Sequence, residues 1–81
     1  MKVLQFKVLI EQDKDGWYVA SVPELPGCYT QGKTLEVTRT RIKEVIELVL
    51  DADPAARKEK LRSPSATPRF FGVEDIQLSY A

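Results

Sequence analysis

Asp15-Gly16-Trp17-Tyr18-Val19-Ala20-Ser21-Val22-Pro23-Glu24-Leu25-Pro26-Gly27-Cys28 contains a turn, a strand and a fixed loop in succession. Asp-Gly is a strong signal for the turn of a hairpin. Over residues 17–22, Tyr18, Ala20 and Val22 share one face, and Trp17, Val19 and Ser21 share the other, the period of two of a strand. Pro23 and Pro26 have no N–H to give to a ladder, so Pro23 to Gly27 is a loop and not strand interior. A third short strand is expected over Cys28 to Gln31, ended by Gly32.

Upstream, residues 2–11 alternate as well. Leu4, Phe6, Val8 and Ile10 fall on one face, with Gln5, Lys7 and Glu11 on the other, while Val3 and Leu9 interrupt the polar side and offer a second contact surface. Three strands with short connections predict a meander. Downstream, Thr34 is a good N-cap and Glu36 suits the positive end of a helix dipole. The helix is expected over about 35–50, with Leu35, Thr38, Ile42, Val45, Ile46 and Val49 as its apolar stripe and Arg39, Arg41, Lys43, Glu44 and Glu47 facing water. Lys43 and Glu47 are spaced to pair, and Pro54 ends the helix at Asp53. A short charged helix fits 55–61, a turn-rich linker about 62–69, and a fourth, alternating strand 73–80, with Ile76, Leu78 and Tyr80 on one face. The expected fold is therefore α+β, in the order β-β-β-α-β, an antiparallel sheet with one helix on one face.

Eighty-one residues make one domain with a thin core, and such domains often gain stability by self-association. Lys plus Arg balances Asp plus Glu at 12 each, which argues against a protein dominated by phosphate contacts. The single cysteine, Cys28, excludes an internal disulfide, and without histidine a zinc site has too few soft ligands. No apolar run approaches the roughly 20 residues that span a bilayer, and the amino terminus does not read as a signal peptide, so the cytoplasm is the expected location. No cofactor is expected.

The stretch from Asp15 to Cys28 resembles the signature of the HicB family. The resemblance continues through Tyr29-Thr30-Gln31-Gly32-Lys33-Thr34-Leu35-Glu36 into the helix at Ile42-Lys43-Glu44-Val45-Ile46-Glu47-Leu48, about half the chain without a gap. It implies a sheet like that of a degenerate ribonuclease H, without catalytic apparatus, in an antitoxin that binds and occludes HicA, a small RNA-cleaving toxin. Full-length members of that family usually add a DNA-binding domain. The residues after Pro54 do not read as one, so no specific DNA binding is expected. At Val37 the sequence departs from the family's tendency to carry a further acid in the first helical turn, a change in a surface turn.

Several residues carry a chemical reading beside a plain one. Glu11, Asp13, Asp15 and Glu24 have the composition of a metal-binding carboxylate cluster, but acids are common in turns for their own sake, and no metal site is expected. Cys28 lacks the histidine base a catalytic thiol needs, so no catalytic residue is expected. Trp17 suits either a binding hot spot or the filling of a thin core. Arg39, Arg41, Lys43, Arg57, Lys58, Lys60 and Arg62 are interleaved with glutamates and read as solvated surface. Phe70-Phe71 suits the core or a second subunit. Partner binding is expected at Asp15, Trp17, Glu24 and Leu25, where the two prolines restrict the loop beforehand and Leu25 is poorly placed for burial in its own sheet. The expected function is thus a non-enzymatic, homo-oligomeric antitoxin. The rivals are a scaffold without a toxin partner and a degenerate ribonuclease H with residual nuclease activity.

Overall fold

Strand β1 (Leu9–Gln12) reverses into β2 (Tyr18–Ser21) through a hairpin held by one carboxylate. Asp13 Oδ1 accepts the backbone N–H of Asp15 and of Trp17, both at 2.9 Å, while the N–H of Gly16 donates to the Asp13 carbonyl. Gly16 has φ 88°, a left-handed conformation that strains any other L-residue, which is why Asp-Gly reads as a turn. These features come from a computed structural model that describes residues 2–67 and 72–80. Strand β3 (Tyr29–Gly32) completes an antiparallel sheet in the order β1-β2-β3, with Ile10, Ala20 and Thr30 in line across it.

Helix α1 (Leu35–Ala52) starts where expected: Thr34 is its N-cap, and its hydroxyl accepts the Val37 N–H at 3.1 Å. The helix lies over β3 and β2 and does not reach β1. It approaches β3 closely because Gly32 has no side chain in the way, and Thr38 fills that space, fully buried, its hydroxyl donating to the Thr34 carbonyl at 2.7 Å. Asp53 ends α1 and caps α2 (Pro54–Arg62), accepting the Ala56 N–H, with proline at the first helical position where its missing N–H costs nothing. The core is thin, as the length implies. Ala20, Val22, Leu25, Cys28 and Ile42 form it, with Phe6, Val8, Val45, Ile46 and Val49 packed against it.

Four expectations need correction. The first strand does not span 2–11: only 9–12 pair, because β2 gives way at Pro23 to a loop that cannot extend the ladder. The alternation holds for Phe6 and Val8, which pack on the core, but not for Ile10, which is exposed. The fourth strand over 73–80 does not form within the chain; residues 72–80 belong to no strand and are exposed throughout. A compact chain of this length has a radius of gyration of about 12 Å, against 15.1 Å here with a long axis of 53 Å. Lys60 is buried, not solvated. The Lys43–Glu47 pair is not among the ion pairs of the described residues. The expected linker runs partly, and Phe70-Phe71 wholly, outside the described residues.

Candidate functional site

Alternation gives the sheet two unlike faces. One carries Ala20, Val22 and Cys28 into the core beneath α1. The register places Leu9, Val19, Ser21 and Tyr29 on the other, with Glu11 and Gln31 flanking Val19. No helix covers that face among the described residues. Tyr29 is 68 % exposed, and Leu9, Trp17 and Val19 are half-buried. Trp17 lies at the turn end of the face, and the Lys33 ammonium sits 5.6 Å from its ring centroid, within cation–π range. Asp15 is exposed in the same turn. The result is a shallow aromatic and aliphatic strip with carboxylates at one end. Such a surface suits association with another macromolecule and lacks the enclosure that a small substrate needs.

Of the four residues expected to bind a partner, Asp15 and Trp17 lie together at this end of the face. Glu24 and Leu25 do not join them. Leu25 is only 6 % exposed, a correction to the expectation that it stays out of the core. The loop folds inward because its backbone bonds to itself: the Leu25 N–H donates to the Val22 carbonyl, and the Cys28 N–H to the Leu25 carbonyl. Glu24 is engaged by Lys60, whose ammonium lies 3.1 Å from one carboxylate oxygen and 3.2 Å from the other, donates to the Ala66 carbonyl at 2.7 Å, and sits 4.4 Å from the Phe6 ring centroid. Tyr29, which the sequence alone does not single out, shares this face. The signal that places it is the short loop back from β2, which sets Tyr29 opposite Ser21.

The acids do not gather into a metal centre: no group of three or more potential ligands occurs among the described residues. Cys28 is 2 % exposed, and burial pushes its thiol pKa up. The neutral thiol is the unreactive form. Alkylation of Cys28 by iodoacetamide in the native protein is expected to be at least about a hundredfold slower than in the urea-unfolded chain, and labelling at equal rates would show the loop to be open.

The chain matches, over residues 6–73, the family model described as HicB-like antitoxin of bacterial toxin–antitoxin systems. It is similar to a UPF0150 protein of Synechocystis, 49 % identical over 76 residues, which cover 94 % of this chain and 97 % of that protein. A UPF0150 protein of Archaeoglobus fulgidus is 52 % identical over 48 residues, 59 % of this chain and 70 % of its own. One of Helicobacter pylori is 47 % identical over 58 residues, 68 % of this chain and 79 % of its own. No solved structure gives a significant match.

Proposed function

The chain belongs to the HicB-like antitoxins of bacterial toxin–antitoxin systems, and on that premise we propose that it is a non-catalytic, self-associating module that occludes a HicA-type RNA-cleaving toxin in the cytoplasm. The uncovered sheet face carries this reading. Trp17, Val19 and Tyr29 supply the apolar contact there, with aromatic residues of the kind that dominate binding hot spots. Asp15 and Glu11 give the same region negative charge, which speeds encounter with a basic, RNA-gripping surface more than it tightens the complex. Glu24 and Leu25 act one step back, holding the loop in shape. The absence of catalysis is supported by the family and by the uses the acids already have: Asp13 closes the hairpin and Glu24 neutralises Lys60. No helix among the described residues is long and apolar enough to cross a membrane.

The test is titration of the protein into an RNA-cleavage reaction run by a HicA-type toxin from the same organism. Cleavage is expected to stop at a fixed stoichiometry, and the protein alone to leave the RNA intact. Trp17→Ala and Tyr29→Ala are expected to weaken binding about tenfold or more each, the loss typical of an aromatic anchor, with circular dichroism unchanged. If both folded variants bind as tightly as the parent, the sheet face is not the site.

A further inference from the structure

The helix side of the sheet is incomplete. Because α1 stops short of β1, a groove of about 670 Å³ opens between residues 2–8 and the helix. Leu4, Phe6 and Val8 form one wall, and Ile42, Ile46 and Leu50 the other. The same chain carries an apolar strip with nothing to cover it: Val73, Ile76, Leu78 and Tyr80 are 79–93 % exposed. Ile76, Leu78 and Tyr80 alternate, so an extended segment presents all three on one side. We propose that residues 72–80 of one copy lie in the groove of a second copy, reciprocally, so that two chains complete each other's sheets.

Charge selects this groove. Lys2, Arg39 and Lys43 stand on its rim, with Glu47 as the lone acid, and the segment brings Glu74 and Asp75 just before its apolar strip. The opposite edge of the sheet is less open, since Arg41 reaches from α1 to the Gln31 carbonyl of β3 at 2.9 Å. The chain's own path favours a neighbour's groove over its own. Pro64 is tied to Gln5 by a 2.8 Å backbone bond and Ala66 to Lys60, and residues 72–80 are exposed along their whole length, not seated in their own groove. An exchanged, two-fold arrangement also removes an apolar groove and an apolar tail at once.

The inference rests on the self-association proposed above and names the segment that makes it. It is tested by charge exchange between copies. One variant carries Arg39→Glu and Lys43→Glu, a second Glu74→Lys and Asp75→Lys; all four positions are exposed. Each variant alone places like charges together twice per dimer, and its dimer dissociation constant by sedimentation is expected to rise about tenfold or more. Mixing the two restores opposite charges at both grooves, so heterodimers are expected with parent-like affinity. If the mixture stays as dissociated as its components, the segment does not dock in trans and the proposal fails. A chain ended after residue 71 that dimerises like the parent also overturns it, while leaving self-association intact. A parent that is monomeric at high micromolar concentration overturns both.

Discussion

Glu24→Ala is expected to destabilise the fold by about 3 kcal/mol, the low end of the cost when a buried charge loses its partner. The Lys60 side chain is 5 % exposed and that of Glu24 23 %. Removing the carboxylate leaves an almost wholly buried ammonium with the Ala66 carbonyl as its remaining hydrogen-bond acceptor in the chain. Water that does reach Glu24 softens the loss, hence the low end. The asymmetry gives a sharper expectation: Lys60→Met costs less than Glu24→Ala, because Glu24 can turn to solvent and the methionine keeps the contact with Phe6. Replacing both, Glu24→Leu with Lys60→Met, is expected to recover most of the stability, as apolar pairs of similar volume do. Urea unfolding measures all three. A chain of this length has only roughly 4–12 kcal/mol in total, so Glu24→Ala is expected to shift the midpoint strongly. A variant within about 0.5 kcal/mol of the parent, the range of ordinary surface changes, would show that the pair is not buried in solution.

Gly32→Ala is expected to cost about 2 kcal/mol, although it adds one methyl group. A Cβ there would lie 2.6 Å from Thr38 Oγ1 and 3.2 Å from both the Thr38 nitrogen and Val37 Cγ1. The hydroxyl cannot simply swing aside, since Thr38 is fully buried and bonded to the Thr34 carbonyl. The backbone at Gly32 is ordinary, so the effect is one of space alone. In a Thr38→Ala background the same change is expected to cost about half as much, because the nearest atom is gone and the backbone contact is not. Equal costs in both backgrounds, measured by urea unfolding, would place the clash elsewhere.

How far these features are legible in the sequence depends on what kind of information fixes them. Asp15-Gly16, Thr34 and Asp53-Pro54 act within a few residues of themselves, and the turn, helix start and helix end fall where they read. The alternation of Leu4, Phe6, Val8 and Ile10 shows correctly that Phe6 and Val8 face inward, but not that Ile10 is exposed or that residues 2–8 lack a strand partner, because pairing depends on where β2 stops. Glu24 and Lys60 are 36 positions apart, and nothing local marks either as half of a buried pair. Leu25 misleads for a related reason: two prolines advertise a loop, and only the bonds of that loop to itself show that it points inward. On the uncovered face, the turn that carries Asp15 and Trp17 is legible in the sequence, whereas the place of Tyr29 needs the register.

The uncovered face is built from β1, β2 and β3, and the groove from residues 2–8 and α1, so the two share no lining residue. If both proposals hold, a toxin and a second copy would not compete for the same side chains, and the expected stoichiometry would be two toxins on two antitoxin chains. Yet they are joined through β2, where Val19 faces the uncovered side and Ala20 the core on which Phe6 and Val8 pack. Filling the groove would stiffen that core and restrict the strands above it, so the two proposed associations are expected to be linked in free energy.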